Sequence, residues 1–253
     1  KKGFRRFILK KIDKLIARFA TAILIESNSQ RNFLIEEGVV LNNKSIVLGD
    51  GSISGVNLNR FKFNQKKRNK IREKFGFKDS TFVLLFLGRI NKEKGILILA
   101  EAFSKLQKIY PDLQLWIVGK DEEQLASSLQ KIKSVYVLDF SKFPEDYMMA
   151  ADLFCQPSFR EGFGTSVIEA ASCGIPSIVS DIYGLKDAII NDETGILFPV
   201  GSSCELEVSL QRLIDDKILR KKMGKLANER VKKKFSQNRL TDELIFLFNK
   251  LLE

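Results

Sequence analysis

The 253-residue sequence contains no histidine, and this absence excludes several kinds of chemistry. Hydrolases with a serine–histidine pair, papain-like cysteine enzymes and histidine-ligated metal sites all need that side chain. The three cysteines, Cys155, Cys173 and Cys204, are odd in number and unevenly spaced. They therefore predict neither a disulfide framework nor a zinc site, and we expect buried or incidental thiols in a reducing compartment.

Long apolar runs are also missing. No stretch approaches the roughly 18 apolar residues that a membrane span needs, and the first residues lack the apolar core of a signal peptide. Hydrophobic residues make up 44% of the chain, which is enough for the core of one large α/β domain or somewhat more. Because residue 1 is Lys rather than Met, we expect the chain to be a piece of a longer protein.

Positive charge is concentrated at the start of the chain. Residues 1–19 carry eight cationic side chains against Asp13 alone, which is +7 of the formal net charge of +11. Their apolar residues recur every three or four positions, which predicts a basic amphipathic helix. Two interpretations remain open: the helix packs on another domain, or it attaches to an anionic membrane surface. No motif beside the charge favours nucleic-acid binding.

Predicted strands and helices alternate along most of the chain. Turn residues in 49–59 separate a short first part from a long run of β–α units, which indicates a Rossmann-like, doubly wound parallel sheet of the α/β class. We predict strands at 21–26, 45–48, 81–87, 113–118, 135–138, 152–155, 176–180 and 195–198. We predict helices at 29–37, 66–75, 95–109, 121–131, 144–150, 164–173, 185–190, 203–215, 217–234 and 236–252.

Residues 160–181 are the most informative segment. Glu161 and Glu169 flank a turn of Gly162, Phe163 and Gly164 that follows a predicted strand and opens onto a helix. Such a turn presents unpaired backbone N–H groups and the positive end of a helix dipole to an anion. Carboxylates nearby suit sugar hydroxyl groups, because an ionised carboxylate accepts two hydrogen bonds from a diol. The segment therefore predicts a nucleotide-sugar site.

Two cations follow another predicted strand. Arg89 comes directly after strand 81–87, and Lys94 precedes the glycine that starts the next helix. Arginine donates to a phosphate in a bidentate manner and lysine acts as a compact charge, so the pair suits a diphosphate. Because ligands of parallel sheets bind at the carboxyl ends of the strands, these cations and the two glutamates are expected to share one crevice.

Four segments in order resemble retaining glycosyltransferases with the GT-B fold, in the large family 4 group that builds bacterial polysaccharides and glycolipids. These segments are 51–61, 87–103, 151–158 and 160–181, and the resemblance spans roughly residues 20–252. It implies transfer of a sugar from a nucleotide diphosphate donor, by default a uridine diphosphate (UDP) sugar, with retention and without a metal. A histidine that often positions the sugar in this family is absent from this chain.

The resemblance also implies roles for individual residues. Arg89 and Lys94 would neutralise the leaving diphosphate, Glu161 would support positive charge at the anomeric carbon, and Glu169 would bind the ribose. The remaining donor-binding candidates are turn or strand-end residues that offer backbone N–H groups, clearance or a border for the base: Gly162, Phe163, Gly164, Thr165, Gly88 and Phe140. Residues 51–61 resemble the segment that crosses between the two domains in this family and are called the crossing segment here. Asn57 and Arg60 are expected to tie it to the donor domain and to take no part in the reaction.

The expected organisation follows the same resemblance. Residues 1–48 would be a remnant of an N-terminal acceptor domain, residues 49–235 the donor domain, and residues 236–253 a helix that returns to the first domain. The acceptor would be a glycan or a lipid-linked molecule, and the protein cytoplasmic or peripheral on the inner face of the membrane. A nucleotide-sugar epimerase or synthase, and a non-catalytic donor-domain remnant that acts as a binding module, remain alternatives.

Overall fold

Strands and helices alternate along residues 3–78 and 80–252, the part of the chain that this computed structural model describes. The strands are β1 (Ile23–Leu24), β2 (Ser45–Ile46), β3 (Phe82–Leu87), β4 (Leu113–Val118), β5 (Val135–Leu138), β6 (Leu153–Gln156), β7 (Ser177–Ser180) and β8 (Gly195–Phe198). The helices are α1 (Phe4–Phe19), α2 (Asn28–Glu36), α3 (Gln65–Lys74), α4 (Ile96–Ile109), α5 (Ala126–Leu129), α6 (Pro144–Ala150), α7 (Thr165–Ser172), α8 (Leu185–Ala188), α9 (Ser203–Asp215), α10 (Lys217–Lys234) and α11 (Gln237–Leu252).

Six of the strands form one parallel sheet in the order β5-β4-β3-β6-β7-β8. The chain runs outward from β3 to β5, returns to place β6 beside β3, and then runs outward in the other direction. This reversal confirms the predicted doubly wound sheet. Sheets of this kind bind ligands at such a reversal, beside the loops that follow the two central strands, which here are the loops after β3 and β6.

Both faces of the sheet are buried, as the apolar sequence of β3 predicts. Val83 and Leu85 point into one core with Trp116 and Phe154, whereas Leu84 and its neighbours point into a second core on the other face. Helices on both faces therefore hold the strand ends rigidly, and the loops at the carboxyl edge are presented from a fixed scaffold.

A smaller unit precedes the sheet. Strands β1 and β2 pair in parallel, and α1 and α2 pack around a small core of Ala17, Ile25 and Val40. The predicted strands 21–26 and 45–48 shorten here to two residues each. Lys1 and Lys2 of the predicted basic helix, and Glu253 of the last segment, lie outside the described residues. None of the helices described is long and apolar enough to cross a membrane.

The predicted helix 121–131 is mostly a turn, and only Ala126–Leu129 is helical. The carboxylate of Asp121 accepts hydrogen bonds from the backbone N–H groups of Glu123, Leu125 and Ala126 at 2.8–3.2 Å. An aspartate that binds nearby backbone in this way offers the chain an alternative to the helix. The prediction of a helix from residue 121 was therefore wrong for its first five residues.

Candidate functional site

The loops after β3 and β6 meet at backbone level. Gly95 has a φ of +70°, and a Cβ atom at this position would lie 1.9 Å from the carbonyl oxygen of Pro157. The backbone N–H of Phe159 donates to the carbonyl of Glu93 at 2.9 Å. Only glycine allows this approach, so the sequence places the Lys94 loop directly against the loop that carries Glu161.

Glu161 is the centre of a polar network. One of its carboxylate oxygens, Oε1, accepts hydrogen bonds from Lys94 Nζ at 2.5 Å, Gln156 Nε2 at 2.6 Å and Ser158 Oγ at 2.9 Å. Only 14% of the Lys94 side chain and 12% of the Glu161 side chain are exposed. The other oxygen, Oε2, accepts no hydrogen bond within the part of the chain described. The structure thus brings together two predicted site residues and leaves one acceptor open.

Three residues of this network carried no role in the sequence analysis. Gln156 is the last residue of β6, Ser158 follows two residues later, and Ser166 Oγ donates to Gln156 Oε1 at 2.6 Å. The Gln156 amide is therefore fixed in orientation, because its oxygen accepts from Ser166 and its nitrogen donates to Glu161. The signal that could have found them is polar side chains at the carboxyl end of a buried strand, next to the glutamate loop.

The turn after Glu161 presents free backbone donors. In residues 3–78 and 80–252, the N–H groups of Gly162, Phe163, Gly164 and Thr165 donate to no acceptor. They lie at the start of α7, where the helix dipole adds partial positive charge. The Phe163 ring is buried 5.5 Å from the ring of Phe235, so its side chain packs the loop and only its backbone faces the crevice.

Arg89 lies in a different environment from Lys94. Its side chain is 59% exposed, and its guanidinium group pairs with Glu122 at 3.2 Å. Asn91 Nδ2 donates to the same carboxylate at 2.8 Å, and this hydrogen bond, with the charge of Arg89, lowers the pKa of Glu122. The two predicted diphosphate cations therefore differ. Lys94 is largely buried in its pair with Glu161, whereas Arg89 is exposed and pairs with Glu122 at the protein surface.

Glu169 lies in the second turn of α7 and is largely enclosed. Burial raises the pKa of its carboxyl to about 7; the charge of Arg60 lowers it and that of Glu145 raises it. Among the described residues the carboxylate accepts no hydrogen bond. A partly buried carboxylate without a protein donor can accept both hydroxyl groups of a diol.

The remaining predicted residues lie around the crevice. A Cβ atom at Gly119 would lie 1.9 Å from the carbonyl oxygen of Gly88, whereas one at Gly88 would meet only the Phe86 ring at 3.6 Å. The strict need for glycine in this pair is therefore at Gly119. Phe140 follows β5, and its ring is 69% exposed at the same edge of the sheet.

No metal centre is formed by the described residues, since no three His, Cys, Asp or Glu side chains are grouped to hold an ion. Cys155 and Cys173 are buried, and burial raises the pKa of both thiols, that of Cys173 to about 12. Thiols held neutral in this way are poor nucleophiles and poor metal ligands. The polar chemistry of the crevice comes from its lysine, carboxylates and backbone donors.

Comparison with known proteins identifies relatives of this architecture. A family model described as "Glycosyl transferases group 1" matches residues 67–230. The capsular polysaccharide biosynthesis glycosyltransferase CapM of Staphylococcus aureus is 30% identical over 259 aligned residues, which cover all of this chain and 67% of CapM. A D-inositol 3-phosphate glycosyltransferase of Pseudarthrobacter chlorophenolicus is 32% identical over 65% of this chain, but only 42% of that protein is covered.

A solved structure agrees with the fold. Anabaena Alr3699/HepE in complex with UDP-glucose superposes with a TM-score of 0.87 at 22% identity, covering 98% of this chain and 68% of that one. The chain therefore spans about two thirds or less of the length of these three proteins. The two proteins therefore share one fold over nearly all of this chain.

Proposed function

The chain belongs to the group 1 glycosyltransferases with the GT-B fold, and from this premise we propose that it is the donor-binding part of a retaining, UDP-sugar-dependent enzyme. The acceptor in this proposal is a glycan or a lipid-linked molecule of bacterial polysaccharide synthesis. The name of CapM and the UDP-glucose bound by HepE support these two assignments.

The observation that carries the proposal is the Lys94–Glu161 pair beside the free N–H groups of residues 162–165. When the bond between sugar and diphosphate breaks, negative charge develops on the diphosphate and positive charge on the anomeric carbon. The ammonium of Lys94 and the start of α7 stabilise the first, with Arg89 joining from the rim. The carboxylate of Glu161 stabilises the second.

In this proposal Glu169 binds the ribose of the donor. Its carboxylate is enclosed, lies farther along α7 than Glu161 and has no hydrogen-bond donor in the described residues. The diphosphate, held at the start of α7, places the ribose beside that helix. Two ribose hydroxyls would donate to the two oxygens and supply the missing partners.

The domain boundaries expected from the sequence remain part of the proposal: 1–48 as a remnant of the acceptor domain, 49–235 as the donor domain, and 236–253 as a returning helix. Contacts at both boundaries support it. Ser29 Oγ accepts from Gly184 N–H at 2.8 Å and donates to the carboxylate of Asp187. Helix α11 lies against residues 46–49 along a shared pocket.

Attachment to an anionic membrane surface through α1 is a further part of the proposal. Large apolar side chains along this helix are exposed, from 41% for Ile8 to 80% for Phe19. Two of its cations, Arg6 and Lys10, pair with Glu37, whereas Lys11, Lys14 and Arg18 are exposed and form no ion pair with the described residues. An ordinary packing helix would have the same residues covered by protein, and vesicle binding distinguishes the two.

The direct test is calorimetry with UDP. Replacing Arg89→Ala together with Lys94→Ala should weaken binding by roughly a hundredfold or more, because each charge-assisted contact contributes about 1.5–3 kcal/mol. Lys92→Ala is the matched control: it removes an exposed cation of the same loop and should leave the affinity unchanged. Equal UDP affinity in the folded double mutant and the wild type would refute the diphosphate assignment.

A product analysis separates transfer from epimerisation. A glycosyltransferase releases UDP and forms a glycosylated acceptor, whereas an epimerase or synthase changes the sugar. Chromatography of the whole enzyme's reaction with UDP-glucose and a lipid-linked glycan should show UDP. Recovery of an epimerised nucleotide sugar would contradict the proposed reaction.

A further inference from the structure

The start of α2 is joined to the short helix α8 by hydrogen bonds through Ser29. The backbone N–H of Ser29 donates to Asp187 Oδ1 at 3.2 Å, and Ser29 Oγ donates to the other oxygen of the same carboxylate. Ser29 Oγ also accepts from the backbone N–H of Gly184 at 2.8 Å. The Asp187 carboxylate thus satisfies an N–H group that a helix leaves unpaired at its start, at the positive end of the α2 dipole.

Further contacts fix residues 183–188, the segment that contains α8. The ring of Tyr183 stacks on the ring of Phe33 in α2, with centroids 4.9 Å apart and planes 14° from parallel. The guanidinium group of Arg230 in α10 donates to two carbonyls of α8 at 3.0 Å. The segment is therefore held by α2 as well as by α10.

Gly184 lies directly against residues 161–165, which are called the donor turn here. Its φ is +83°, and a Cβ atom at this position would lie 2.6 Å from the carbonyl oxygen of Gly162 and 2.7 Å from that of Glu161. Only glycine allows two backbones to approach so closely. The residue that Ser29 holds by its N–H therefore packs on the backbone of the donor turn.

This packing acts on the free N–H groups of the donor turn. The carbonyl of Glu161 and the N–H of Gly162 belong to one peptide group, and the carbonyl of Gly162 and the N–H of Phe163 belong to the next. Because a peptide group is planar, the position of each carbonyl sets the direction of the N–H in the same group. Neither N–H donates to an acceptor within residues 3–78 and 80–252, so both remain available to a ligand.

We propose that Ser29 and Asp187 position the donor turn: their hydrogen bonds hold Gly184 against the carbonyls of the turn, and this contact aims two backbone N–H groups at the UDP-sugar. The inference rests on the proposed function, in which these N–H groups bind the donor. Ser29 and Asp187 are positioning residues, because they act through Gly184 and the turn and not on the reacting atoms. The smaller unit before the sheet thereby contributes to donor binding through α2.

Calorimetry of this chain with UDP-glucose gives the first test. Ser29→Ala and Asp187→Ala should each weaken binding about tenfold, which lies within the usual range of coupling between two sites. The double variant should be little weaker than either single variant, because both remove the same contact. Ser29→Thr keeps the hydroxyl group and should bind like the wild type. Ser209→Ala is the matched control, since it removes a hydroxyl that donates to a carbonyl within α9 and should leave the affinity unchanged.

Gly184→Ala tests the packing behind the turn directly. The added methyl group would meet both carbonyls and displace the turn, so binding of UDP-glucose should fall by about tenfold or more. Gly76→Ala is its control: Gly76 also has a positive φ, +67°, but the described residues leave open space around its Cβ position. It carries the same kind of backbone strain and should bind UDP-glucose like the wild type. Should Gly184→Ala fail to fold, the Ser29 variants still decide the matter.

Hydrogen exchange gives the reciprocal test. If the Ser29–Asp187 contact favours donor binding, bound donor must stabilise the contact by the same free energy. Saturating UDP-glucose should therefore slow exchange of the Ser29 and Gly184 amides severalfold. The amide of Leu219, which donates to the Asp216 side chain at the start of α10, is the control and should exchange at an unchanged rate.

The outcomes separate the inference from the proposed function. Weaker binding by Ser29→Ala and Asp187→Ala, its recovery in Ser29→Thr and slowed exchange at the two amides support the inference. Wild-type affinity in Ser29→Ala, even with a lowered thermal midpoint, or unchanged exchange on donor binding, would make the contact purely structural and overturn it. The proposed function then stands if Arg89→Ala with Lys94→Ala abolishes binding. No binding of UDP-glucose by the wild type would overturn both.

Discussion

The burial of Glu169 lowers the stability of the folded protein at neutral pH. In the unfolded chain its carboxyl group titrates near 4.5, and burial raises the pKa in the folded protein to about 7. Below pH 4.5 both states hold the proton and the site costs nothing. As the pH rises from 4.5 to 7, the unfolded state releases the proton first, so the folded state loses stability. The group is largely enclosed, and the full effect is on the order of 3 kcal/mol.

We therefore expect Glu169→Gln to be more stable than the wild type at pH 8, by up to about 3 kcal/mol, and equally stable near pH 4.5. Urea denaturation of both proteins at the two pH values measures this difference. Glu193→Gln, at an exposed glutamate, is the control and should change stability little at either pH. A Glu169→Gln variant no more stable than the wild type at pH 8 would contradict the burial argument.

The two glutamates should also separate in kinetics. Glu161→Gln removes a charge whose interaction strengthens as the anomeric carbon becomes positive, so it should lower kcat of the whole enzyme by about a hundredfold with UDP affinity retained. Glu169→Gln should mainly weaken UDP binding, because ribose contacts are equal in the ground and transition states. UDP release at varied donor concentration measures both. If each variant changed only KM, the role given to Glu161 would be wrong.

At the scale of elements, α1 is the helix whose partner the sequence left open. Cations near an anionic surface contribute about 1 kcal/mol each, so binding to phosphatidylglycerol vesicles should be strong at low salt and fall as salt is added. Deletion of residues 1–19 should abolish it and leave UDP affinity unchanged, since the donor loops lie elsewhere. Co-sedimentation of intact and truncated chains measures this. Equal binding by both, or by neither, would leave α1 as a packing helix.

The pattern of elements was largely readable from the sequence. Apolar runs and helical spacing predicted every strand of the six-stranded sheet to within one or two residues, because burial on both faces leaves little alternative. The failure at residues 121–125 has a local cause: the Asp121 carboxylate captures three backbone donors there. Hydrogen bonds of this kind depend on the geometry of the loop, which the spacing of apolar residues in the sequence does not predict.

The charged residues of the candidate site were proposed from the sequence, whereas their ion-pair partners are seen only in the structure. Glycines and glutamates at strand ends pointed to the crevice, but Lys94 turned out to be paired with Glu161, and Arg89 with Glu122. Ser29 and Asp187 are separated by a long stretch of sequence, and only the fold brings them together. Pairings across distant segments are not visible in one sequence.

At the scale of the whole molecule, two apolar surfaces lie outside the main core. One runs along α1 and the other along α11, where Phe246 is 71% and Leu252 is 86% exposed. In the proposed organisation the boundaries at 48 and 236 place both helices outside the donor domain, so the remainder of an acceptor domain would cover the surface of α11, and the surface of α1 would meet the membrane. The candidate donor-site residues lie between Gly88 and Glu169, outside both helices, and Glu26 and Gln30 lie against Gly162.

The reversal of strand order also has a consequence for how the molecule folds. Strands β3 to β5 and β6 to β8 each assemble from consecutive β–α units, whereas the β3–β6 pairing joins segments far apart in the chain and closes a long loop. The sheet thus consists of two halves that meet at the β3–β6 pairing, and Lys94 lies on one side of this seam while Glu161 and Glu169 lie on the other. A donor bound as proposed would bridge the seam, so saturating UDP-glucose should slow hydrogen exchange at the β3–β6 amides more than at those of β4–β5.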